Sequence, residues 1–176
     1  MSRSKLVITL VAALAVLATF FVTPVASAGT LDPNPGQYYH VKNDFSHLCM
    51  DVAYGSKFVG ARIQQWDCLD ISQENWRFDV VSTINRVKYY HLVNKNSGLC
   101  LDVPNGSTTP GVELQQWTCW SGDMQQWALV PAGGSSVTLK NLGSGYCVDD
   151  KNWGGAGASL QQWDCNNLAV QTWQIA

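Results

Sequence analysis

A block of residues in fixed order occurs three times in this chain of 176 residues. Each copy has a Cys-x-Asp triplet, then a Gln-Gln-Trp-x-Cys segment, and it closes on a Gln-x-Trp or Glu-x-Trp triplet. Matched tryptophans lie 51 residues apart between the first two copies and 46 residues apart between the last two. An ordered block with this period indicates repeated supersecondary units.

Short strand-like runs bounded by turn residues fill each copy, and no helical periodicity accompanies them. A single four-stranded unit cannot hide its apolar face, whereas three units about a common axis close the sheet. The sequence therefore predicts an all-β fold of about 12 strands in three homologous units. The predicted strands are Tyr38–Lys42, Leu48–Val52, Ala61–Trp66, Trp76–Val81, Tyr89–Val93, Leu99–Val103, Val112–Trp117, Trp127–Val130, Val137–Asn141, Tyr146–Val148, Ser159–Trp163 and Trp173–Ile175.

The tryptophan that closes each copy begins a predicted strand, and an apolar residue follows it two positions later. Because alternate side chains of a strand point to the same face, both residues of each pair face the same layer. Large aromatic residues in such a pattern usually pack inside the protein. We therefore expect Trp76, Trp127 and Trp173 to be core residues.

The N-terminal residues resemble an export signal. Arg3 and Lys5 precede an apolar run, and Ala26-Ser27-Ala28 offers a cleavage site of small residues. An uncleaved membrane anchor is the alternative, but the cleavage triplet favours removal of residues 1–28. We expect residues 29–37 to be a leader and the mature protein to be extracellular, with no membrane attachment after cleavage.

The charge of the mature chain argues against nucleic acid as a partner. From Gly29 onwards it has nine basic and 13 acidic residues, and the basic residues form no run. Such a chain has no electrostatic attraction to a phosphate backbone.

All six cysteines fall inside the repeats, two in each copy. In an exported protein, an even number of cysteines at matching positions favours disulfides. The alternative is zinc, but neither a Cys-x-x-Cys spacing nor a matched histidine accompanies the pairs. The repeat favours bridges that close each unit on itself: Cys49–Cys68, Cys100–Cys119 and Cys147–Cys165.

The ordered set of Cys-x-Asp, Gln-x-Trp-x-Cys and Gln-x-Trp resembles the ricin-type lectin family over nearly all of the mature chain. The resemblance implies a β-trefoil with pseudo-threefold symmetry at residues 38–176, with repeats at about 38–84, 85–133 and 134–176. It also implies sugar binding in a shallow pocket of each unit. There an aspartate accepts hydrogen bonds from sugar hydroxyls, an aromatic ring stacks on the sugar, and nearby amides complete the site.

Carried over position by position, the resemblance implies eleven carbohydrate-binding residues. They are Asp51, Gln64, Trp66 and Gln73 in the first copy, Asp102, Gln115 and Trp117 in the second, and Asp149, Gln161, Trp163 and Asn166 in the third. Three departures weaken the match: Glu74 replaces a glutamine, and Met124 and Val170 stand where the family has asparagine. We rank the first and third pockets above the second.

Two alternatives to sugar contact remain open at these positions. The aspartates could cap turns by accepting backbone N–H bonds, and the tryptophans could pack against the disulfides. Outside the set, Trp120 could enlarge the second stacking surface. Trp153, in a polar and glycine-rich segment, is either a second stacking surface or a ring folded onto its own neighbours.

The pattern does not predict an enzyme. One matched aspartate per repeat suits three binding pockets, whereas glycoside hydrolysis usually needs two carboxyl groups in one centre. His40, His47 and His91 are not matched between the copies, and the sequence has no metal, phosphate or dinucleotide motif. We expect a monomeric, secreted lectin for galactoside- or xylan-type glycans, without a cofactor. The alternative is a scaffold that has lost sugar binding and serves as a protein-interaction or inhibitor module.

Overall fold

The computed structural model describes residues 32–176. The predicted signal peptide and the first residues of the leader lie outside this range. In the described part, twelve antiparallel strands form one hydrogen-bonded sheet, and no helix is long and apolar enough to cross a membrane. The strands are β1 Tyr38–Asn43, β2 Cys49–Val52, β3 Ile63–Trp66, β4 Asn75–Ile84, β5 Val87–Asn94, β6 Cys100–Asp102, β7 Gln115–Trp117, β8 Trp127–Gly133, β9 Ser136–Asn141, β10 Cys147–Asp150, β11 Leu160–Trp163 and β12 Trp173–Ile175.

Each of the twelve predicted strands is found, but several bounds differ. β4 and β5 are longer than predicted because a two-residue turn, Asn85-Arg86, joins them directly, with φ of 50° and 69°. Two positive φ values in a row suit the twist of a tight hairpin. β3, β7 and β11 begin later than predicted, because the residues before them form isolated bridges to neighbouring repeats, such as Arg62 to Gln115.

Six strands close into a barrel. β1 pairs with β4, β4 with β5, β5 with β8, β8 with β9, β9 with β12, and β12 with β1. The other six strands form three hairpins, β2–β3, β6–β7 and β10–β11. Closure pairs the strands of the ring on both sides and removes the exposed edges of an open sheet. This arrangement is the predicted β-trefoil.

The three closing tryptophans lie at the centre of the molecule, as predicted. Trp76, Trp127 and Trp173 are fully buried. Each indole N–H donates to a backbone carbonyl of the hairpin in its own repeat, at 2.9 Å from Nε1 of Trp76 to the oxygen of Met50 and 3.1 Å from Nε1 of Trp127 to that of Leu101. Each indole therefore fills the core and fixes its hairpin to the barrel, which satisfies a buried donor.

The disulfide prediction is also confirmed. Bridges join Cys49 to Cys68, Cys100 to Cys119 and Cys147 to Cys165. Zinc is therefore not the role of these cysteines. His91 lies close to the second bridge, but a disulfide carries no thiolate to bind a metal. Each bridge ties the first strand of a hairpin to the loop that follows the second strand.

Candidate functional site

Each hairpin carries one aspartate directly opposite one glutamine. Asp51 pairs with Gln64 in the strand register, Asp102 with Gln115 and Asp149 with Gln161. The glutamine Nε2 donates to the aspartate Oδ1 at 2.8, 2.7 and 2.7 Å in the three repeats. The 12- to 13-residue interval of the sequence thus places both side chains on one face of the hairpin.

A second glutamine fixes the other aspartate oxygen in two repeats. Gln125 Nε2 donates to Asp102 Oδ2 at 3.1 Å, and Gln171 Nε2 donates to Asp149 Oδ2 at 3.0 Å. Sequence reasoning did not assign these glutamines to the site, although their position in the closing Gln-x-Trp was a usable signal. The aspartates accept these bonds from side chains rather than capping turns. Burial raises the pKa of both carboxyl groups, and the glutamine bonds oppose that rise.

The first repeat differs because Glu74 replaces this glutamine. Its Oε2 accepts a bond from the Leu69 N–H at 2.7 Å, as Gln125 Oε1 accepts one from the Trp120 N–H at 3.0 Å. Glu74 Oε1 therefore stands where the amide donor stands in the other repeats. Both this atom and Asp51 Oδ2 are buried without a hydrogen-bond partner. Burial raises the pKa of Asp51 to about 6, the bond from Gln64 opposes the rise, and the charge of Glu74 adds to it.

The tryptophan of each Gln-Gln-Trp segment forms a partly exposed wall beside the aspartate. Exposed fractions are 39% for Trp66, 42% for Trp117 and 40% for Trp163. Each ring lies against a glycine with positive φ from a loop of another repeat. These contacts pair Trp66 with Gly157, Trp117 with Gly60, and Trp163 with Gly111. A methyl group at Gly111 would lie 3.1 Å from the Trp163 ring, so the absence of a side chain permits this position of the ring.

The middle glutamine of each segment fixes the loop that carries this glycine. Gln65, Gln116 and Gln162 are fully buried, and each donates to backbone carbonyls of a loop in another repeat. Gln116 Nε2, for example, donates to the carbonyl oxygens of Ser56 and Phe58 at 2.9 and 3.0 Å. Each pocket wall is therefore built by two repeats.

Three cavities of about 400 to 450 Å³ contain these groups, a size suited to a small ligand. The structure brings the predicted residues of each copy together. The first cavity is lined by Asp51, Gln64, Trp66 and Gln73, the second by Asp102, Gln115 and Trp117, and the third by Asp149, Gln161, Trp163 and Asn166.

The rims of the cavities differ between repeats. The first includes Tyr54 and Arg62, and Arg62 Nη2 donates to Gln64 Oε1 at 2.8 Å. Arg62 lines this cavity although the sequence pattern did not indicate it, because the other copies have no cation at this position. The second rim includes Trp120 and Met124, and the third includes Trp153.

A fourth cavity of about 490 Å³ lies outside the repeat pattern, lined by Asp32, Lys88 and Tyr90. Its carboxylate accepts bonds from both the Lys88 ammonium and the Tyr90 hydroxyl. The side chains of Asp32, Lys88 and Tyr90 therefore bond to each other, and no tryptophan of the described residues lines this cavity.

Comparison with known proteins agrees with this fold. A family model described as ricin-type beta-trefoil lectin domain-like matches residues 30–87 and 72–163. Among solved structures, the designed three-fold symmetric protein ThreeFoil is 31% identical with a TM-score of 0.74, covering 79% of this chain and 97% of that one. An exo-beta-1,3-galactanase from Clostridium thermocellum is 28% identical with a TM-score of 0.75, covering 82% of this chain and 30% of that one.

Similarity to a larger protein is also found at the sequence level. Serine protease 1 of Rarobacter faecitabidus is 30% identical in an alignment of 135 residues, and the match covers 56% of this chain and 25% of that protein. The chain thus spans less than a third of the length of both the protease and the galactanase. The similarity concerns one module of each of these proteins.

Proposed function

This chain belongs to the ricin-type β-trefoil lectin domain family, and from that premise we propose that it is a secreted lectin that binds neutral glycans. The family and fold are those of a carbohydrate-binding protein rather than an enzyme. In our proposal, galactoside- or xylan-type chains bind through up to three shallow pockets on a monomer.

One observation carries the proposal: a buried aspartate, fixed by glutamine, shares each cavity with a half-exposed indole. A pyranose has a face of C–H groups that suits an aromatic surface, while its hydroxyls need strong acceptors. Each carboxylate oxygen has two lone-pair directions, and it accepts at most one glutamine bond, which leaves capacity for a sugar hydroxyl.

The proposed sugar contacts divide between these two kinds of group. Asp51, Asp102 and Asp149 accept hydrogen bonds from hydroxyls, and Trp66, Trp117 and Trp163 stack on the ring. Gln64, Gln115 and Gln161 orient the carboxylates. Gln73 and Asn166 supply amide groups at the rims of the first and third pockets. The similarity to a module of a protein named as an exo-beta-1,3-galactanase supports galactans as the first ligands to test.

The test is a pull-down of the mature protein on galactose-agarose, insoluble xylan and chitin, with the free monosaccharide as competitor. We expect retention on one matrix and release by its own sugar. The double variant Asp51→Asn, Asp149→Asn should lose most of this retention. Asp79→Asn is the matched control, because Asp79 lies on β4 and pairs with Arg77 outside the cavities.

The alternative is a trefoil scaffold that has lost sugar binding and recognises or inhibits another protein. It is favoured by Glu74, Met124 and Val170, which depart from the family pattern. Under this alternative no matrix retains the protein at high concentration. Unchanged retention of the double aspartate variant would instead show that sugar binds outside the first and third pockets.

A further inference from the structure

Two aromatic rings from different repeats meet beside the third cavity. Phe45 lies in the turn after β1, and Trp153 lies in the short turn after β10. Their ring centroids are 4.9 Å apart with an interplanar angle of 89°. Phe45 remains 45% exposed and Trp153 remains 51% exposed. Trp153 also lines the third cavity, so the pair extends an apolar surface from the pocket onto its rim.

The backbone at Trp153 has a conformation that disfavours a large side chain. Its φ is 55°, whereas the matching positions in the other repeats are Gly55 at 59° and Gly106 at 65°. A bulky residue in the left-handed region is strained, and such strain concentrates at functional sites. Half of the Trp153 surface remains exposed, so burial in the core does not explain why this repeat has tryptophan at a position where the other two have glycine.

Hydrogen bonds hold the turns that carry both rings. Asn43 Oδ1 accepts the Phe45 N–H at 3.0 Å, and Asn43 Nδ2 donates to the carbonyl oxygen of Val170, a residue of the cavity wall, at 3.1 Å. On the other side, Asp150 Oδ1 accepts the N–H of Gly154, which follows Trp153, at 3.2 Å.

The other two cavities have no such pair. The turn positions that match Phe45 are Asn96, whose side chain donates to the carbonyl oxygen of Gly55 at 2.8 Å, and Gly143. Asp150 is also specific to the third repeat, since Val52 and Val103 hold the matching positions. The third cavity therefore combines a strained tryptophan and a loop-anchoring carboxylate from the third repeat with a partner ring from the first.

We propose that Phe45 and Trp153 form a second aromatic subsite that binds the sugar residue adjacent to the one in the third cavity. This inference rests on the proposed function and specifies its ligand: the third pocket takes a chain of pyranoses rather than a single sugar. The edge-to-face contact leaves ring surface uncovered, and that surface suits the C–H face of a pyranose.

The test isolates the third pocket in a protein carrying Asp51→Asn and Asp102→Asn. Calorimetry compares galactose with β-1,3-linked galactotetraose, and xylose with xylotetraose. We expect the tetrasaccharide of the recognised sugar to bind about 10-fold more tightly than its monosaccharide. Phe45→Asn and Trp153→Gly should each lower this ratio to about one. Phe58→Asn is the matched control, because Phe58 is 81% exposed and does not line the third cavity, and the ratio should remain.

The possible failures are distinguishable. Absence of binding for all four sugars, in this protein and in the unmodified one, would overturn the proposed function itself. Monosaccharide binding with a ratio near one in the parent, or a ratio that survives both aromatic substitutions, would overturn only the subsite. The melting temperature provides a second readout: Trp153→Gly should raise it by relieving the strained backbone, whereas a fall would show that the ring serves packing.

Discussion

Replacing Glu74 by glutamine should stabilise the protein at neutral pH. Glu74 is fully buried, and substitutions at buried positions usually destabilise a protein. The wild-type side chain directs an oxygen, Oε1, to the place where the other repeats have an amide N–H, and neither that oxygen nor Asp51 Oδ2 has a partner. Arg62 forms no ion pair with either carboxyl group, since its guanidinium donates to Gln64 Oε1 and Ser159 Oγ. In Glu74→Gln, the new amide should donate to Asp51 as Gln125 does to Asp102.

The size of the effect follows from the pKa of Asp51, which rises from its ordinary value of 3.8 to about 6. A carboxyl group with a higher pKa in the folded state stabilises the fold most at low pH and loses that contribution as pH rises through about 6. A shift of about two pKa units corresponds to about 3 kcal/mol. Burial is the largest cause of this shift and remains in the variant. The gain therefore comes chiefly from the new amide bond to the Asp51 carboxylate, and we expect about 2 kcal/mol at pH 8 and almost none at pH 4, where the carboxyl group is protonated.

The assay is thermal unfolding of wild type and Glu74→Gln between pH 4 and pH 8. For a domain of this size, about 2 kcal/mol corresponds to a rise of about 6 °C in Tm at pH 8. Gln125→Glu and Gln171→Glu are matched controls that place the same carboxylate pair in the other repeats, and both should be more destabilised at pH 8 than at pH 4. Destabilisation of Glu74→Gln at pH 8, or a difference from wild type that does not change with pH, would refute the reasoning.

Two further predictions concern the frame of the pockets. Replacing Cys49 and Cys68 by serine opens a loop with a sequence separation of 19 residues, which should lower the free energy of unfolding by about 3 kcal/mol; an unchanged melting temperature would contradict this. Gly111→Ala should weaken sugar binding in the third pocket, because the new methyl group lies 3.1 Å from the Trp163 ring. Gly98→Ala is its control: φ is also positive there, at +72°, but no heavy atom lies within 4 Å. Both substitutions should lower the free energy of unfolding by about 1–2 kcal/mol. Gly98→Ala should leave the sugar affinity measured by calorimetry unchanged. If both variants lost the same affinity, the role of the ring contact would be refuted.

The fold was predictable because its determinants recur at fixed intervals. Three matched cysteine pairs indicated the three bridges, and a tryptophan at the start of the last strand of each unit indicated the core. The aspartate and glutamine of each hairpin are also local, since two strands joined by a short loop bring residues 12 to 13 apart into register. Repetition thus supplied three observations of each local feature.

Contacts between repeats were not predictable in this way. Trp66 lies against Gly157, and Phe45 meets Trp153, although about a hundred residues separate the members of each pair in sequence. Only the closure of the barrel places them together. The proximity of the Asp51 and Glu74 carboxyl groups was not predicted for another reason. The sequence showed that a glutamine was replaced, but not that the amide of this glutamine is the donor to the aspartate in the other repeats.

The rims differ between repeats because different parts of the fold carry stability and ligand contact. Core packing, the disulfide bridges and the aspartate–glutamine pairs occur in every repeat. A change in any of them should destabilise the repeat that contains it. The rim residues lie outside the six strands of the barrel, where a substitution costs little stability. Arg62 could therefore arise in one repeat and Trp153 in another while the barrel stayed the same. It follows that the three pockets should differ in the sugar they prefer, and that a mixed polysaccharide could engage more than one of them at once, with a gain in apparent affinity set by the spacing of its residues.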